Sequence, residues 1–139
     1  MAPESLFIDS GGFYASVSTQ SAAHADAVAI MEESRRTRRR AVTTDYVLDE
    51  TATLLRARGL TTQLKEFLRL TEASQALSIE WMTPDRFAAA QRFMLKHLDQ
   101  EFSFTDCVSF VVMKELRLWD ALATDKHFRI AGFNPLLAE

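Results

Sequence analysis

The chain has one cysteine, Cys107, and that scarcity excludes an internal disulfide and every zinc site that needs two or more thiolates. A lone thiol in such a chain suits a reducing compartment and is expected in the core. Long apolar runs are missing as well. Met1 to Asp9 holds no basic segment followed by an apolar stretch of signal-peptide length, and the most apolar later stretch, Phe102 to Met113, is interrupted by Asp106. The expectation is a soluble, cytoplasmic protein without membrane association. No glycine-rich nucleotide-binding fingerprint and no Walker motif is present, which leaves dinucleotide or ATP chemistry without support. The three histidines, His24, His97 and His127, have no helical ligand spacing, so surface or packing roles are expected of them rather than zinc binding or base catalysis. Bulk positive charge is also absent: the formal net charge of -3 argues against a protein that coats nucleic acid.

What is present is the balance of an ordinary globular domain. With 139 residues, 47% hydrophobic and 25% charged, the chain can build a core of its own and has no room for a second domain, so residues 1–139 are expected to form a single unit. Five of the six residues from Arg35 to Arg40 are arginine, while several acids stand where solvated charge is unusual, which predicts a basic surface beside an acidic site. The run itself reads equally well as a phosphate-contacting patch or as a solvated helix end favoured by the helix dipole. Trp81, Trp119 and the ten phenylalanines are expected in the core and a dimer interface rather than as base-stacking platforms.

Strands and helices alternate along the chain. Leu6-Phe7-Ile8 reads as a buried strand ending in a tight turn at Asp9-Ser10-Gly11-Gly12, followed by two helices between Phe13 and about Met31, broken near Thr19 to Ser21. Ala41-Val42-Thr43 reads as a second strand, with Thr44 or Asp45 capping a helix that Gly59 stops, and the spacing of Leu64, Phe67, Leu68 and Ala73 predicts another helix. Ser78 to Trp81 reads as a third strand. Thr83-Pro84 opens a helix to about His97, and Ser103 opens one that is apolar all round. Ala121-Leu122-Ala123 reads as a fourth strand, Asp125 to Ile130 as a helical turn or two, and Phe133 to Leu137 as a final extended piece. This order predicts an α/β fold, a mostly parallel sheet covered on both faces.

In such a sheet ligands bind beyond the carboxyl ends of the strands, where Asp9 and Asp125 both fall. Alone, each reads as readily as a turn residue or a helix cap. On a helix at about 100° per residue, Glu50 lies at the edge of the stripe formed by Val47, Leu54 and Leu55, whereas Asp49 points to the opposite side. Asp106 completes a capping box with Ser103, yet shares a helix face with Phe110 and Met113, so its ionised carboxylate needs a compensating positive charge. Were these four to converge, they would suit Mg²⁺ or Mn²⁺ and metal-assisted phosphodiester hydrolysis.

Four stretches carry a family resemblance: Phe7-Ile8-Asp9-Ser10-Gly11-Gly12-Phe13, Thr44 to Thr51 with Glu50, Phe102 to Cys107 with Asp106, and Ala123 to Phe128 with Asp125, followed by Ala131-Gly132-Phe133. In order and spacing they resemble the PIN-domain ribonucleases, most closely the VapC-like toxins of toxin-antitoxin pairs. The resemblance implies a three-layer α/β/α sandwich, a metal site from Asp9, Glu50, Asp106 and Asp125, and endoribonuclease activity with Mg²⁺ or Mn²⁺. It also implies an RNA substrate, a homodimer, and a cognate antitoxin as partner. Ser10 and Thr105 are candidate hydroxyls beside the metal ligands. Gly12 departs from the family pattern, which more often has a side chain there, and predicts a looser loop after Asp9. Two alternatives stand beside this reading: a catalytically silent PIN fold that binds RNA or protein, and a phosphatase with Asp9 as nucleophile, for which the four-acid pattern would be coincidence.

Overall fold

Leu6, Phe7 and Ile8 are all almost wholly shielded from solvent, as the middle strand of a sheet covered on both faces must be. They form β1 (Leu6–Ile8) in the computed structural model, which describes residues 4–138. The chain continues through α1 (Ser10–Val17), α2 (His24–Arg36), β2 (Ala41–Thr44), α3 (Asp45–Ala57), α4 (Thr61–Ala73) and β3 (Leu77–Glu80). It then runs through α5 (Pro84–Lys96), α6 (Phe104–Glu115), β4 (Asp120–Leu122), α7 (Lys126–Ile130) and β5 (Asn134–Pro135). Each expected strand is present within one or two residues, and all strand pairs are parallel.

The strand order is β3-β2-β1-β4-β5. The chain therefore steps outward from β1 to β3, then returns to the other side of β1. Right-handed crossovers place α1 to α4 over one face and α5 to α7 over the other, giving the expected three layers. The reversal between β1 and β4 is a topological switch point, where a crevice opens beyond the carboxyl ends of the strands. Phe7, Phe110 and Phe128 are fully buried between the sheet and the second helical layer, with the Phe110 and Phe128 rings edge-on at 5.0 Å. Among the described residues no helix is long and apolar enough to cross a membrane.

Three expectations are corrected. The turn after Asp9 is not loose: α1 begins at Ser10, and Gly12 is buried in it, so close to β4 that a Cβ would lie 2.1 Å from the Leu122 carbonyl oxygen. Only a residue without a side chain permits that approach. Trp81 and Trp119 are not in the core, being 62% and 54% exposed, so of the two places expected for them the core is ruled out and a dimer interface is left. Their strands end or begin beside them, so neither is drawn under a helical layer.

The arginine run does not flank the acidic site. It leaves α2 and enters β2 at the amino end of the sheet, where the Arg40 carbonyl accepts from the Leu6 N–H and Arg39 pairs with Asp120 at 2.9 Å. Arg35 and Arg36 pair with Glu32 and Glu33 one turn back on the exposed surface of α2. The acids at the strands' carboxyl ends lie a strand length away, about 13 Å along a four-residue strand.

Candidate metal centre

Asp9 follows the last residue of β1, and its N–H still bonds the Leu122 carbonyl across the switch point at 3.1 Å. The backbone thus fixes it between β1 and β4. The side chain is 4% exposed, and its Oδ1 has no hydrogen-bond partner among the described residues. Burial pushes the carboxyl up to about 8 against the lowering pull of the Ser10 N–H, and the charges of Asp106, Glu50 and Asp125 push the same way as burial. Asp9 thus feels the charges of all three of the other acids.

Glu50 is brought there by α3, which starts directly after β2 because the Thr44 hydroxyl accepts from the Val47 N–H at 3.1 Å. Glu50 is half-buried and Asp49 exposed, as the helical geometry predicts. The Ser10 hydroxyl donates to Glu50 Oε1 at 2.6 Å, so the residue after the first acid aims the second. Thr105 is half-buried beside Asp106 in sequence.

Asp106 occupies the expected capping box. Its N–H donates to the Ser103 hydroxyl at 3.0 Å, and its Oδ2 accepts from the Ser103 N–H at 3.1 Å. It is nonetheless 6% exposed, and burial raises its pKa; the Ser103 N–H opposes that rise, the Asp125 charge adds to it, and His127 opposes it. The neighbouring Cys107 is buried, and burial together with the Asp106 charge pushes its thiol up to about 11, which makes it an unreactive core residue.

Asp125 caps α7 by accepting from the His127 N–H at 2.8 Å. That cap folds the His127 ring back over the site. Its Nδ1 lies 3.1 Å from Asp106 Oδ2 and 3.2 Å from Asp125 Oδ1, and the three residues offer ligand atoms all within 4.8 Å of one another. His127 is therefore part of the constellation, contrary to the surface or packing role expected of the histidines. The signal was local: a capping aspartate places the side chain two residues later over its own carboxylate.

The residues present fit a divalent cation. Asp106, Asp125 and His127 come together, Asp9 feels the charges of the three other acids, and the buried Asp9 oxygen lacks a donor among the described residues. Hard oxygen donors suit Mg²⁺ or Mn²⁺.

No protein-family model matches the chain. Among characterised proteins it is 34% identical over 94 residues to the 23S rRNA-specific endonuclease VapC20 of Mycobacterium tuberculosis (strain H37Rv), spanning 66% of this chain and 70% of that one. It is 34% identical over 114 residues to a VapC ribonuclease of Archaeoglobus fulgidus, spanning 80% of this chain and 71% of that one. The crystal structure of M. tuberculosis VapC20, described as a sarcin-ricin loop cleaving toxin, superposes with a TM-score of 0.86 at 27% identity, over 96% of this chain and 99% of that one.

Proposed function

The chain belongs to the VapC ribonucleases, and from that premise we propose that it is the endoribonuclease toxin of a toxin-antitoxin pair, cutting RNA phosphodiester bonds with Mg²⁺ or Mn²⁺ held by Asp9, Glu50, Asp106 and Asp125. The observation that carries the metal assignment is the Asp9 oxygen, buried without a donor where three other acids meet. When bound, a divalent cation supplies the positive charge that lets a phosphodiester approach this acidic crevice and makes water a nucleophile at neutral pH.

The chain's own residues divide the remaining work. Asp9 and Asp106 are the buried, fixed donors, held by the β1–β4 pairing and by the capping box. Glu50 and Asp125, at the half-buried rim, remain accessible to solvent and substrate. Ser10 aims Glu50, and His127 holds Asp106 and Asp125 together. Residues 1–139 act as one PIN-like domain in the cytoplasm, working as a homodimer and held inactive by an antitoxin that covers the crevice. The RNA is of the class that the VapC20 relative cuts, a structured ribosomal loop.

The test is incubation of purified, partner-free protein with a panel of structured RNAs including the sarcin-ricin loop, in Mg²⁺, in Mn²⁺ and in EDTA, beside Asp106→Asn. Metal-dependent cutting that the substitution abolishes is the expected result. A folded dimer that cuts nothing under any condition would overturn the nuclease assignment in favour of a binding role.

A further inference from the structure

A cavity of about 450 Å³ opens beside the acidic crevice, and nothing in the metal chemistry uses it. Its volume is that of a small-ligand site. It is lined at one end by Ser10 and Thr124, the chain neighbours of Asp9 and Asp125, and elsewhere by Tyr14, Ser21, Asp26 and Arg58. Arg58, the C-cap of α3, follows Glu50 by eight residues and so stands about 12 Å further along the helix axis, a reach of one or two nucleotides.

Arg58 differs from the paired arginines of the run. Arg35, Arg36 and Arg39 each meet a carboxylate, whereas Arg58 is exposed and makes no ion pair among the described residues. Instead its guanidinium lies over the Tyr14 ring, 4.7 Å from the centroid. Its place at the C-cap of α3 satisfies the helix dipole, but the dipole explains neither the contact with Tyr14 nor the open cavity beside it. A guanidinium is a planar fork of N–H donors, the geometry that grips a phosphate.

Resting on the nuclease reading, we propose that this cavity is a substrate subsite for one nucleotide flanking the cut bond, with Arg58, held over the Tyr14 ring, gripping that nucleotide's phosphate. The rest of the lining says why the occupant is a nucleotide rather than free phosphate. Asp26 repels a bare anion, but accepts from the hydroxyl and base N–H groups that a nucleotide presents at its other end. The hydroxyls of Ser21 and Thr124 add donors and acceptors of the same kind.

The experiment uses the full chain with Mn²⁺ and a sarcin-ricin loop RNA, following cleavage across a range of salt, and RNA binding in an Asp9→Asn background. Arg58→Ala is expected to raise KM, and Kd in the Asp9→Asn background, by about ten- to a hundredfold with a smaller change in kcat. It should also flatten the dependence of log Kd on log salt by about one. Arg58→Lys recovers part of the affinity, since it keeps charge without the fork, and Tyr14→Leu falls between Arg58→Lys and wild type. Cutting by Arg58→Ala with unchanged KM and salt slope would overturn the subsite and leave the nuclease reading standing. RNA that wild type binds in an Arg58-dependent way but never cuts would sustain the subsite and overturn the cutting; RNA neither bound nor cut would overturn both.

Discussion

A carboxyl that titrates near 8 makes Asp9 a proton store in the metal-free protein. Its folded pKa of about 8 lies above the ordinary 3.8, so between those values the folded chain holds a proton that the unfolded chain has released. Each unit of rising pH in that window costs the folded state up to about 1.4 kcal/mol. Stability from this group is full below pH 4, is lost as pH climbs to 8, and changes no further above it. In EDTA the melting temperature of wild type should therefore fall relative to Asp9→Asn between about pH 5 and 8, and millimolar Mn²⁺ should raise it most at the alkaline end. Parallel profiles for the two proteins would contradict a buried, ionisable Asp9. His127 makes a second residue-scale prediction: His127→Ala removes the ring shared by Asp106 and Asp125 and should cost about 1–2 kcal/mol in EDTA. That deficit should shrink when Mn²⁺ is added; an equal deficit with metal would assign His127 to packing against Phe102, whose ring it meets edge-on. Where the four acids fall in the fold was legible in the sequence, because each sits at a point that periodicity exposes, a strand end, a stripe edge or a helix start. His127 was not, because its role depends on Asp106 and Asp125 arriving together from elements 21 residues or fewer apart in sequence but on different secondary structure.

At the scale of elements, the site depends on how closely α1 lies against β4. The alternation of strands and helices located β4 to within a residue but opened the first helix at Phe13, three residues late, and it gave no hint of their separation, which is a relation between chain segments rather than a property of either. Gly12 records it. Gly12→Ala would place a methyl group 2.1 Å from a backbone oxygen that no rotamer can move, so α1 must lift from β4. Overpacking of this kind costs about 3 kcal/mol, read as a lower urea midpoint. Because Asp9 precedes α1 and Asp125 follows β4, cleavage should fall more than the loss of folded protein explains. The helix caps, by contrast, were legible residue by residue: Ser103-Phe104-Thr105-Asp106 forms the expected box. Ser103→Ala should cost about 1 kcal/mol and free Asp106 from one of its two anchors, visible as weaker Mn²⁺ binding in a thermal-shift titration.

Across the whole molecule, the parallel sheet gives the protein two chemically distinct ends. Four acids gather at the carboxyl ends of the strands and the arginine run at the amino ends, a separation that composition and linear spacing could not reveal because Arg40 and Glu50 are only ten residues apart in the chain. A strand and a turn of helix lie between them, and the strand's direction carries them to opposite ends. Three of the five arginines there are engaged locally: Arg35 and Arg36 with Glu32 and Glu33, Arg39 with Asp120. Exposed pairs within one helix contribute little to stability and are screened by salt. Replacing Arg35 and Arg36 together by glutamine should accordingly change stability by less than about 1 kcal/mol. It should also leave KM for a short RNA hairpin within about twofold, since a site a strand length away exceeds the screening distance of about 8 Å at physiological salt. Arg58, at the acidic end and unpaired with any described acid, carries fewer charges than the run and should matter more. A double glutamine variant that loses RNA affinity as Arg58→Ala does would mean that the substrate wraps past the edge of the sheet to reach both ends.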